Sequence, residues 1–193
     1  MTPSLTAFDA HRRIASGPLP AVALVVKAAA DRGAAGPVLV FDDRTGRQVE
    51  IDTRGTPQEV LDRLAPAAEP PAEDDAPADT GPRGRGRPKL GVVAREVTLL
   101  PRHWDWLNAQ RGGASVALRQ LVDAARRDNA GRDAARQAQE AAYQFMLAIA
   151  GNLPGYEEAT RALFAADAEG FKGCIAGWPQ DVREHALRLA FPV

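Results

Sequence analysis

The chain has very little of what most enzymes and secreted proteins are built from. It contains one cysteine, Cys174, in 193 residues, which excludes an internal disulfide and any thiolate metal cage. Its three histidines, His11, His103 and His185, lie far apart in the sequence, and no pair has metal-ligand spacing. No phosphate loop, nucleophile elbow or coupled carboxylate pair can be read from it. The expectation is therefore a non-enzymatic protein with no catalytic residue, no metal and no cofactor. No apolar run approaches the ~20 residues that cross a bilayer. The opening "MTPSLTAFDAHRR" lacks the basic-then-apolar order of a secretory signal, so a cytoplasmic location without membrane contact is expected. A formal net charge of −1 gives no averaged pull on a polyanion, so any such partner must show in how the charge is distributed.

What is present is a 45% apolar, 25% charged composition, enough to bury a core. The pattern predicts an α+β chain in four parts: a small ββαββα-like unit over 1–64, a linker over 65–91, a short strand with two helices over 92–128, and a helical region over 129–193. In the first part, "LTAF" and "RRIAS" read as paired strands. "GPLPAVALVVKAAADRG" reads as a helix with proline in its first turn and glycine after its last. "GPVLVFDDRTGRQVEID" reads as two strands around an Asp43-Arg44-Thr45-Gly46 hairpin loop. Thr56 and Glu59, with Pro57 between them, form a capping-box pattern at the start of the next helix. Asp42, Asp43, Glu50 and Asp52 read as solvated turn and strand residues, because no other ligand type converges on them.

From Ala65 to Gly81 the chain is rich in proline and alanine and carries five acids and no base, a composition that cannot bury enough apolar surface to order itself. Immediately afterwards the sign reverses. From Pro82 to Arg102 there are six bases, Arg83, Arg85, Arg87, Lys89, Arg95 and Arg102, against one acid, Glu96. Further on, "SVALRQLVDAARR" puts Leu118, Leu121, Val122 and Ala125 on one helical face. "RDAARQAQEAAYQFMLAIAG" does the same with Ala135, Ala138, Ala142, Phe145 and Ile149, so both segments are expected to bury a stripe.

Two segments carry a functional signal. The core Arg85-Gly86-Arg87-Pro88, followed by Lys89, resembles the AT-hook, a short element that binds the minor groove of A·T-rich DNA. The chemistry fits: a narrow groove of strong negative potential attracts extended arginines, and glycine lets the backbone approach its floor. Proline holds the chain extended. By that resemblance Arg85 and Arg87 enter the groove, and Arg83 and Lys89 meet phosphates.

The second segment, Arg95 to Arg127, runs through an alternating stretch, the "LLPRHW" junction, a helix, a glycine turn and a second amphipathic helix. It resembles the ribbon-helix-helix fold of bacterial repressors, which implies a homodimer whose paired strands enter the major groove. The resemblance sets Leu100, Thr98 and Glu96 on the core side and Leu99, Val97 and Arg95 on the base side. Glu96 suits an interior poorly, and Val97 and Leu99 cannot donate hydrogen bonds to base edges. Only Arg95 keeps base-reading chemistry, so sequence-specific readout is expected to be weakened. Ser115 is placed as the cap of the second helix, where free amides could meet a phosphate, and Arg102 as a further backbone contact. Trp104 and Leu107 share one helical face, and Trp106 lies on another with His103; packing is the expected role of both tryptophans.

The core "GRPKLGVVAREVTLLPRHWDWLNAQRGGASVALRQLVDAARR", with "AGNLPGYEEATRALFAADAEGF", is also similar to a bacterial domain-of-unknown-function family of like length, a resemblance that implies no activity. Two readings follow. The first is a dimeric DNA-binding protein, a transcriptional regulator or nucleoid-associated factor, with low specificity for A·T-rich DNA. The alternative is a protein-interaction or scaffold module whose basic arm binds an acidic partner.

Overall fold

The computed structural model of the protein describes residues 4–34, 36–65, 93 and 95–192. The chain divides into two compact units, Met1–Ala67 together with Ala130–Val193, and Ala68–Asn129. In the first, β1 (Ser4–Asp9), β2 (Arg12–Pro18), α1 (Leu19–Asp31), β3 (Val38–Asp42) and α2 (Pro57–Leu64) follow one another in sequence. Both strand pairings are antiparallel and the sheet order is β2-β1-β3, so the first strand is central. A bulge between Ala7 and Phe8 shifts the pairing of β1 with β2.

The central strand explains why there are two cores. Leu5, Thr6, Ala7 and Phe8 are all buried, which requires cover on both faces of the sheet. Leu5 and Ala7 pack with Val40 of β3 and with Val22 and Val26 of α1. Phe8 and Phe41 point the other way, into a second cluster with Ala142, Phe145 and Met146. The rings of Phe41 and Phe145 meet edge to face at 4.9 Å. Each phenyl group buried in this way contributes roughly 1.5–3 kcal/mol.

That second cluster is supplied by helices from the other end of the chain. The order continues through α3 (Pro101–Asn108), α4 (Gly113–Ile149), α5 (Tyr156–Phe164), α6 (Ala168–Cys174) and α7 (Gln180–Ala190). Ala159, Leu163, Phe171, Ile175, Trp178, Val182 and Leu189 join Phe145 in one cluster, so segments 1–64 and 129–193, expected as separate parts, share a core. The indole N–H of Trp178 donates to the carbonyl of Pro154 at 2.7 Å, which satisfies its one polar atom inside that core.

Three expectations change. The second strand of the hairpin is reduced to a single bridge between Phe41 and Gln48, with Val49 N–H donating to Val40 O at 2.8 Å. Beyond it, Val49 and Ile51 pack against the Leu5–Val22 cluster instead of extending the ladder. The two amphipathic runs expected as separate helices belong to one helix, α4, 37 residues long. Gly131 lies inside it with nothing near its missing side chain, since one glycine costs a long helix only about 1 kcal/mol. Finally, only part of the later stripe is buried: Ala138, Ala142 and Phe145 are in the core and Ile149 is half-buried, whereas Ala135 is exposed and Leu121 and Val122 are 48% and 54% exposed.

The capping box is present as read. Glu59 N–H donates to Thr56 Oγ1 at 3.3 Å and Thr56 N–H donates to Glu59 Oε2 at 2.6 Å. Replacing Thr56 by alanine removes the hydroxyl acceptor and leaves the Glu59 amide of the first turn of α2 without it, while the reciprocal bond from the residue-56 amide to Glu59 Oε2 can persist. We expect a loss of about 1 kcal/mol in urea denaturation, largely restored by serine. An alanine variant as stable as the parent would show that the cap contributes nothing.

Candidate nucleic-acid interface

Arg83, Arg85, Gly86, Arg87, Pro88 and Lys89 lie outside the described residues. Of the remaining candidates, Arg95 and Arg102 are both exposed. Residues 95–100 form no strand within the single chain, and the backbone at Leu100 is extended (φ −67°, ψ 149°) where it hands over to Pro101 at the first position of α3. A strand is defined by its partner, and among the described residues none pairs with this segment.

Behind that segment α3 and α4 form a helix pair joined through Gly112 and Gly113, whose φ values of +91° and +75° reverse the chain. Leu107 and Ala117 are its buried residues. An apolar groove of about 470 Å³ runs along it, lined by Leu99, Trp106, Leu107, Leu118 and Leu121, with Arg102 and His103 also on its wall. Trp106 is 53% exposed, and Val97 and Leu100 are comparably open. Ser115 is not the cap: α4 already begins at Gly113, and Ser115 sits exposed in its first turn. Leu99, assigned to the base side, turns towards the groove instead. Two-residue alternation fixes faces only in a paired strand, and an unpaired extended segment packs whichever apolar side chain is nearest.

A polar cluster that the sequence did not expose lies in the first unit. Asp43, expected to be solvated, accepts hydrogen bonds from Thr6 Oγ1 at 2.7 Å and Ser4 Oγ at 2.9 Å, and its side chain is only 18% exposed. His185 of α7 is fully buried beneath it. One guanidinium nitrogen of Arg188 donates to His185 Nδ1 at 2.7 Å and approaches Thr6 Oγ1 at 3.3 Å and Asp43 Oδ2 at 3.7 Å. A guanidinium can only donate, so Nδ1 is the acceptor and the imidazole proton sits on Nε2. That nitrogen has no hydrogen-bond partner among the described residues; Asp43 Oδ1 lies 3.6 Å away. Burial, then the positive charges of Arg188 and Arg13, pull the His185 pKa down to about 3, so the ring is neutral.

The cluster joins residues 4, 6, 43, 185 and 188, which no local pattern could have connected. The only sequence signal was that a histidine sat on the apolar face of a helical run beside Ala186 and Leu189. The histidine is shut from solvent, and the bonds of Asp43 and Arg188 to Thr6 tie the sheet to α7. Asp52 is likewise tied into structure, between Arg54 at 2.7 Å and Arg63 at 3.7 Å; the Arg54 hydrogen bonds hold its carboxyl well below the usual range. Among the described residues there is no group of three His, Cys, Asp or Glu that could hold a metal, and no helix is long and apolar enough to cross a membrane.

No curated protein and no solved structure matches the chain. One family does, over residues 4–190, which takes in the sheet, the helix pair and the C-terminal helices alike: the chain belongs to the family described as "Uncharacterized protein conserved in bacteria (DUF2239)".

Proposed function

We propose that the protein is a non-enzymatic, homodimeric DNA-binding factor, a transcriptional regulator or nucleoid-associated protein, built on residues 83–127. The observation that carries this reading is the unpaired extended segment 95–100 leading into a helix pair whose apolar groove and Trp106 stand open. A two-fold copy supplies what both lack, a strand for the segment and a cover for the groove, through one self-complementary surface. Arg95 and Arg102 then lie on or beside the paired ribbon, and the sequence adds four further bases between Pro82 and Lys89. Val97 and Leu99 offer no hydrogen bonds to base edges, so affinity comes mainly from phosphates and from the Arg85-Gly86-Arg87-Pro88 arm in A·T-rich minor groove.

Fluorescence anisotropy with A·T-rich and G·C-rich duplexes tests this. With about four of the six bases on phosphates, log K should fall against log salt with a slope near −3.6. Arg87→Ala should weaken binding and erase any preference for A·T. No binding to either duplex at low salt overturns the reading, and an unchanged affinity in Arg87→Ala removes the arm from it. Sedimentation at increasing concentration should show a dimer that Trp106→Glu dissociates. The same open groove also favours a second reading, a scaffold that docks a partner protein, which a partner recovered after nuclease treatment would support.

A further inference from the structure

We infer that the first unit carries a phosphate-binding groove of its own, formed by Arg44 and Arg47 of the hairpin loop and Arg136 of α4, which takes a DNA phosphodiester. This rests on the DNA-binding reading but uses different residues. The groove measures about 460 Å³, and its wall also includes Thr45, Gln137, Glu140 and Ala141.

The loop is built to hold its shape. Asp42 Oδ1 accepts from Arg44 N–H at 2.7 Å and Thr45 N–H at 3.2 Å, and Gly46 N–H donates to Asp42 O at 2.7 Å. Gly46 adopts φ +65° and lies directly on the backbone of α4 at Ala141, where no side chain could fit. Arg44 and Arg47, on either side of Gly46, are thus fixed at their backbones against the helix that carries Arg136.

Charge separates this surface from an ordinary solvated face. Three guanidinium groups line the groove against one carboxylate, Glu140; Asp42 is turned into the loop amides, and Arg136 also pairs with Asp133 at 2.9 Å. Arg44 and Arg47 are exposed and make no ion pair or side-chain hydrogen bond with any described residue. Two guanidinium groups of five donors each therefore face one groove with no acceptor among the described residues, held by a loop already in place. Guanidinium forks match phosphate oxygens, and a fixed backbone reduces the ordering cost of using them.

The test is Arg44→Gln with Arg47→Gln in the full chain. Both residues are exposed, and glutamine keeps much of the stem. These two contacts come in addition to the four counted for segment 82–102, so the parent slope should steepen to about −5.4 and the double variant should return to about −3.6, with duplex binding weakened by roughly tenfold or more. Parallel titration of the parent with inorganic phosphate, followed by NMR, should give saturable shifts at residues 44–47 and 136 that the double variant loses. Duplex binding with an unchanged slope overturns the groove and leaves the proposed function standing. If the parent binds no duplex, the proposed function falls and the phosphate titration decides alone: shifts lost in the variant support a phosphate site, and their absence overturns it.

Discussion

Gly46→Ala is expected to destabilise the first unit by on the order of 4 kcal/mol, well beyond what a turn glycine ordinarily costs. Two effects combine. At φ +65° an alanine meets the left-handed penalty of about 1–2 kcal/mol. Its Cβ would also run into the carbonyl oxygen of Ala141, and that oxygen belongs to helix backbone which cannot turn aside. The loop would have to lift from α4, pulling on Phe41 at the end of β3 and hence on its contact with Phe145. Gly33 supplies the control, because it has φ +74° with open space around it. Gly33→Ala should therefore lose only the backbone penalty. Urea denaturation of the two variants checks the argument, and equal losses would show that contact with the helix is not what demands glycine at 46.

The second large effect is acid sensitivity. The His185 pKa is about 3 in the folded chain against 6.5 ordinarily, so between those values the unfolded chain binds a proton that the folded one refuses. Stability from this group is complete above pH 6.5 and is lost as pH falls towards 3, at about 1.4 kcal/mol for each unit within that window. The cause is the ring's place between Phe8 and Phe145, with centroids at 5.4 and 4.5 Å, and beside the guanidinium of Arg188. Arg13 acts in the same direction, and Asp43, 3.6 Å from Nε2, opposes both without outweighing burial. Melts across this interval should show the loss. His185→Gln keeps an acceptor for Arg188 but cannot titrate, so the difference between the two curves isolates this group. A variant as acid-sensitive as the parent would mean that other groups govern the acid limit.

Much of the local architecture was legible because it rests on neighbours in sequence. Pro20 in the first turn of α1, the Thr56–Glu59 box and the Asp43–Gly46 turn are short-range chemistry, and all appear where the sequence placed them. The buried stripe of Ala138, Ala142 and Phe145 was equally readable from its period. The stripe at Leu121 and Val122 was just as periodic and is exposed, because periodicity says that a face is apolar and does not say what covers it. Ser115 failed as a cap for a related reason: the glycine pair at 112 and 113 let α4 start earlier than a capping residue would suggest.

The candidate sites divide along the same line. Arg95 and Arg102 were candidates from local charge and from the ribbon-helix-helix resemblance, and both are exposed. Asp43, His185 and Arg188 could not be found that way, nor could Arg44, Arg47 and Arg136 be recognised as one wall, since each set is assembled across about ninety residues or more.

By itself, the sequence determined the α+β class, the Thr56–Glu59 cap, the turn at Asp43–Gly46 and the reversal of charge before Val92, since each depends on groups within a few residues of one another. Tertiary structure alone decided that the first and last thirds of the chain share one core, that a half-buried Asp43 lies beside a neutral histidine, and that Gly46 must be glycine for a helix ninety-five residues away. Burial belongs to surfaces that meet in space, and one side of each such contact says nothing of the other until the chain has closed on itself.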